Sequence, residues 1–149
     1  IAQYSFTPYE PQNIFYSEDL SDFMTVRQIY EINDQNFTYL SRYKSNGNIT
    51  EFENTVAEQL IKFLHRNGTK CPKCDEMARN MTSEFVNDTV SDVFSYRVIL
   101  RNESRNFTLA EEYSVPINDS TLVTPSKKIA TAFINDTFVV ETLEVDVWK

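Results

Sequence analysis

Two cysteines three residues apart, Cys71-Pro72-Lys73-Cys74, are the side chains of this sequence best able to do chemistry. A CxxC at the start of a helix can run thiol–disulfide exchange, because the helix dipole and nearby cations lower the first thiol's pKa. Lys70 and Lys73 supply such cations. The stretch before Cys71 reads as a helix and a turn, however, whereas redox motifs of this type follow a strand of a parallel βαβ unit. In an oxidising compartment the pair is more simply a local disulfide. So short a loop gains little entropy from closure, and the bond is expected to shape the surface more than it stabilises the domain.

Other chemistry finds less to stand on. One CxxC and the single histidine, His65, fall short of the four ligands of a structural zinc site. Nothing resembles a Gly-x-Ser-x-Gly nucleophile turn or a phosphate-cradling glycine loop. Paired carboxylates such as Glu51/Glu53 and Glu111-Glu112 read as solvated faces on an acidic chain. The expectation is a protein that is not an enzyme and takes no cofactor or metal. A secreted CxxC oxidoreductase and a soluble domain holding an apolar ligand are the alternatives.

The second pattern is modification chemistry. Asn36, Asn48, Asn67, Asn80, Asn87, Asn102, Asn106, Asn118 and Asn135 each begin Asn-x-Ser/Thr without an intervening proline. With 13 asparagines in the chain, and Ser plus Thr about a sixth of it, chance would give roughly two such sequons. Nine are present. They mark a secreted or cell-surface glycoprotein, and each used site must be exposed, since a glycan cannot be buried.

Composition agrees with one folded domain. The 149 residues are 41% hydrophobic and 13% aromatic, enough for a core without staples. A formal net charge of −8 leaves no basic stripe for nucleic acid or an anionic membrane. No apolar run is long enough to insert in a bilayer. Ile1 opens without a charged and apolar leader, so any secretion signal is expected to have been removed or to lie outside this sequence.

The elements that would position these groups follow from periodicity. Residues 1–17, with Pro8 and Pro11, read as an extended aromatic arm, and residues 18–149 as one domain. Ser17 to Leu20 looks like a short turn. From Phe23 the spacing becomes two, with Met24, Val26, Gln28, Tyr30 and Ile32 on one strand face. The chain stays extended through residues 37–40. Thr50 and Glu53 form a capping box for a helix carrying Phe52, Val56, Leu60 and Phe63, which Asn67-Gly68 stops. An insert at about residues 67–86 holds the CxxC and a short helix with Met77, Met81 and Phe85 on one side. Residues 93–100 and 107–115 form a hairpin. Thr124-Pro125 reads as a helix start, with Ile129, Ala130, Phe133 and Ile134 as core face, and residues 138–147 as the last strand. A hairpin turning at Asn135-Asp136 is the rival for that region. The order gives an α+β, ferredoxin-like βαββαβ fold, a four-stranded antiparallel sheet with helices on one face.

With that order, Tyr30-Glu31-Ile32-Asn33, Asn36-Phe37-Thr38 with Leu40, and Phe52 through Leu64 resemble the first half of an SEA domain, a module of mucins, agrin and enterokinase. Ile129-Ala130, Phe133-Ile134-Asn135 and Thr142 to Asp146 resemble its last helix and strand. Self-cleaving members carry Gly-Ser at the start of an apolar strand. Here Phe94-Ser95-Tyr96 has the Ser without the Gly, so the resemblance implies a non-cleaving member.

Nine glycans would shield much of so small a domain. The arm and the last strand contain no sequon, so contact with an extracellular protein, including other copies of this chain, is expected at Tyr4, Phe6, Tyr9, Val139, Leu143, Val145 and Trp148.

Overall fold

The computed structural model describes the backbone of residues 9–113 and 123–149, with side chains from residue 15 onward except at 124. Four helices come first: α1 (Tyr9–Val26), α2 (Thr38–Ser45), α3 (Val56–Arg66) and α4 (Cys74–Thr89). Four strands follow: β1 (Ser95–Arg101), β2 (Asn106–Glu112), β3 (Thr124–Ile134) and β4 (Thr137–Trp148). They form one antiparallel sheet in the order β2-β1-β4-β3. The expected α+β layers are present, but the chain runs through its helices before its strands and does not alternate as βαββαβ.

Several segments depart from the sequence expectation, each for a physical reason. The arm and the first strand are replaced by α1, which covers residues 9–26. Pro11 sits in its first turn, where a missing amide hydrogen breaks no helical bond. The helix buries Ser17, Leu20, Ser21 and Met24 on one stripe, and two of those four are serines, so the apolar period is faint. Small serines let α1 come close to β3: the Ser21 and Ser126 hydroxyls lie 2.7 Å apart in the interior. Glu18 and Asp22, one turn apart, both hold Lys128. Residues 1–8, the rest of the arm, lie outside the described residues.

The second departure is the helix expected at Thr124-Pro125, which is strand β3. The rival hairpin is the structure adopted. Asn135 and Asp136 take φ of 51° and 64°, the left-handed pair that a two-residue hairpin turn requires. Ala130 and Ala132 face the helices because little room is left beneath α1 and α3, and alanine there imitated a helical signal. Pro125 is tolerated because β3 bounds the described sheet.

Third, the main helix begins at Val56, with the capping box at Thr55 and Glu58: Glu58 N–H donates to Thr55 Oγ1 at 3.2 Å, and Thr55 N–H donates to Glu58 Oε1 at 3.1 Å. Thr50–Glu53 cannot start it, because this backbone is engaged elsewhere. Tyr30 N–H donates to the Phe52 carbonyl and Ile29 N–H to that of Asn54. Residues 37–40 are not extended either, since α2 starts at Thr38. Phe37 offers no side-chain cap, and Glu84 of α4 supplies one from across the core, accepting from Tyr39 and Leu40 N–H at 2.7 and 3.3 Å.

Of the stretches that resemble an SEA domain, Val56 to Leu64 is helical and Thr142 to Asp146 is strand, as expected, while two others take different shapes. Ile29–Glu31 is a 3-10 turn, and Ile129 to Ile134 belongs to a strand.

The hydrophobic core lies between sheet and helices. Val98, Leu100, Leu143, Val145 and Val147 meet Leu20, Met24, Leu60, Ile61, Met81 and Phe85 in one cluster. In β2 an extra residue, Leu109, sits opposite the Val98–Ile99 step, and it too is buried.

Candidate functional site

Eight of the nine sequons fall on described residues, and Asn118 lies outside them. Asn36, Asn67, Asn87, Asn106 and Asn135 are exposed, and Asn48, Asn80 and Asn102 are half-buried. Among the described residues the one buried asparagine, Asn54, is not in a sequon. The half-buried acceptors differ chemically from the exposed ones. The side-chain nitrogen of Asn80 donates to Tyr43 Oη at 3.1 Å, and that of Asn102 donates to Glu141 Oε2 at 3.0 Å. Asn67 accepts from Asp75 N–H through its oxygen, which leaves the nitrogen open.

Cys71 and Cys74 are joined by a disulfide. The Cys74 side is buried at the start of α4, and Gly68 and Cys71 exchange backbone hydrogen bonds that fold the loop back on itself. Replacing both cysteines with serine is expected to cost about 2 kcal/mol, the loop-entropy value for so few residues. A thermal melt in the presence and absence of reductant checks it; loss of all cooperative unfolding would show that the bond holds more than its own loop.

On the sheet face turned away from the helices lies a group that sequence reading missed. Glu144 and Asp146 of β4 are buried there beside Ile99 and Trp148. Arg97 donates to Asp146 Oδ2 through Nε and Nη2, at 3.1 and 2.8 Å. Arg101 Nε donates to Glu144 Oε1 at 3.0 Å, with Lys127 Nζ 4.0 Å away. Burial first, then the hydrogen bond with Glu144, push the Asp146 carboxyl above the usual range. Burial alone would raise Glu144 as well, but hydrogen bonds with Asp146 and Arg101 outweigh it and hold Glu144 low. Asp146 is thus the acid of the pair that holds its proton more tightly, and its Oδ1 is buried without a hydrogen-bond partner. The signal was available as acids alternating with valines in the last strand, Glu144-Val145-Asp146-Val147. A third buried acid, Glu141, faces the helices, with His65 Nε2 at 3.2 Å. Among the described residues no three His, Cys, Asp or Glu side chains are grouped to hold a metal ion.

The contact residues expected from sequence are distributed differently. Leu143 and Val145 belong to the core, and Trp148 is fully buried with its ring 5.4 Å from that of Tyr113. Val139 is half-buried. None of Leu143, Val145 and Trp148 can serve as a surface, because both faces of β4 are covered from Leu143 onward. Tyr4 and Phe6 lie outside the described residues, as does the Tyr9 side chain. The exposed apolar side chains of the β3–β4 hairpin are instead Ile129, Phe133, Phe138 and Val140, at 72%, 66%, 54% and 51% exposure. Alternation puts all four on the face opposite the helices.

Within the described residues no helix is long and apolar enough to cross a membrane. The chain matches no protein-family model, no curated protein and no solved structure. The fold and its surface define a class: an α+β domain of two layers, with sequons at its loops, on α4 and at its turns, and an apolar hairpin at one edge.

Proposed function

We propose that this chain is a heavily N-glycosylated secreted or cell-surface module that acts by binding protein, including further copies of itself. The observation that carries the reading is the sorting of its asparagines: every described sequon reaches solvent, while the buried asparagine is outside the pattern. The sequons also leave several elements bare, α1 and the two strands of the β3–β4 hairpin among them. These elements expose Phe15, Val26, Ile129 and Val140. Ile129 and Val140 share the sheet face turned away from the helices with Phe133 and Phe138, and exposed apolar side chains grouped in this way mark a contact site.

Charge favours self-association. The two outer strands of the described sheet differ in sign, with Lys127 and Lys128 on β3 and Glu111 and Glu112 on β2. Edge-to-edge addition of copies, β3 against β2, places unlike charges together and satisfies open backbone groups. Ile129→Glu puts an acid on an exposed position of the β3 side, where the fold has nothing to lose. Association, measured by light scattering, is expected to weaken at least tenfold, with the melting temperature unchanged. Trimming residues 1–8 in parallel measures the arm's share. An Ile129→Glu protein that associates as the parent does would remove β3 from the proposal.

A further inference from the structure

At the tip of the β3–β4 hairpin two large aromatic side chains stand in solvent beside a sequon. Phe133 and Phe138 are a directly opposed cross-strand pair, their ring centroids 5.0 Å apart. Asn135 occupies the first position of the turn between them, exposed, with Thr137 completing its sequon. A cross-strand aromatic pair stabilises a hairpin, which accounts for the contact between the rings. It does not account for their outer faces, since two phenylalanines more than half exposed cost solubility without burying apolar area.

We propose that these rings are the seat of the Asn135 glycan: the first sugar linked to Asn135 lies with its C–H face on the Phe133–Phe138 pair. The inference rests on the glycoprotein reading above. Three features carry it. The reach is right, because two residues of strand span about 7 Å, the distance an asparagine side chain and one pyranose must cover. The chemistry is right, because the axial hydrogens of a pyranose carry partial positive charge and an aromatic face is negative. The turn is short: Asn135 and Asp136 take the positive φ of a two-residue hairpin, which keeps the Asn135 backbone within two residues of Phe133 and three of Phe138. Beyond the first sugar, Phe133, Ile134 and Asn135 form one wall of a cleft of about 670 Å³ whose other wall includes His65, Arg66 and Lys70. Arg66 and Lys70 are donors for sugar hydroxyls.

The test uses the whole chain secreted from a glycosylating host and trimmed enzymatically to one sugar per site. Thr137→Val removes the Asn135 acceptor while keeping a β-branched residue in the strand. It is made in the parent and in a Phe133→Ser/Phe138→Ser background, so that the cost of each substitution cancels in the cycle. Loss of the acceptor is expected to lower the melting temperature by about 2–4 °C in the parent and not at all in the serine background. Equal losses in both backgrounds would overturn the proposal. If the serine background does not fold, the parent decides by proton NMR: the ring protons of the Asn135 sugar must be displaced upfield relative to those at Asn87, and unshifted resonances overturn the seat. Glycopeptide mass spectrometry separates the two levels of the argument. An empty Asn135 with other sequons occupied overturns the seat alone; a chain with no glycan anywhere overturns the glycoprotein reading as well.

Discussion

Phe85→Ala is expected to remove about 3–5 kcal/mol of stability, a large fraction of the roughly 5–15 kcal/mol that holds a domain folded. The Phe85 ring is fully buried on α4 and meets Phe23 of α1 at 5.1 Å and Phe37, at the entry to α2, at 5.0 Å. Three helices therefore share one side chain, and the cavity left by alanine cannot close without moving all of them. Urea unfolding measures the loss. Phe52→Ala is the natural comparison. The sequence pattern puts Phe52 on the core stripe of the main helix, but in the structure it precedes that helix and is partly exposed, with Lys44 over its ring. Its removal is expected to cost about 1 kcal/mol or less. Equal costs at the two positions would mean that the helix starts where the sequence pattern placed it.

The second large effect concerns charge. Arg97→Met leaves Asp146 buried against Glu144 without its cation, and about 2–3 kcal/mol should be lost at neutral pH, less than for a pair in which both partners are fully buried. The pH dependence has a definite sign. Because Asp146 titrates above its unfolded value, the folded protein holds a proton that the unfolded chain has already released, and stability falls as pH rises through that window. Glu144 has the opposite slope: it titrates below its unfolded value, and its contribution is lost as pH falls through the folded one. Without Arg97, Asp146 moves further up, so the gap between variant and parent should widen from acid to neutral pH. Asp146→Asn is the control. An amide can accept from Arg97 and donate to Glu144, so this variant should lose the decline that the raised Asp146 titration produces. Stability of Arg97→Met that is parallel to the parent at every pH would contradict the upward shift at Asp146.

These results bear on what can be read from the chain. Where one face of an element is apolar and the other polar, spacing sufficed: Met77, Met81 and Phe85 on α4, and Tyr96, Val98 and Leu100 on β1, fall where periodicity puts them. It failed where close packing demands small residues. Serines beneath α1 and alanines on β3 erase the apolar period, and the α1–β3 contact depends on both. The capping box failed for another reason, since Thr50–Glu53 and Thr55–Glu58 have the same local form and only pairing with residues 28–30 selects the second. The sequons were fully legible, being local in sequence. The exposed hairpin was not, because assigning Ile129 and Phe133 to a helix core hid them from view.

Native light scattering with refractive-index and absorbance detection, on protein secreted from a glycosylating host, tests the central claim most directly because it weighs polypeptide and sugar separately. A glycosylated association module predicts conjugated carbohydrate together with a polypeptide mass of two or more 17.4 kDa chains. A single chain of 17.4 kDa carrying no carbohydrate would contradict it.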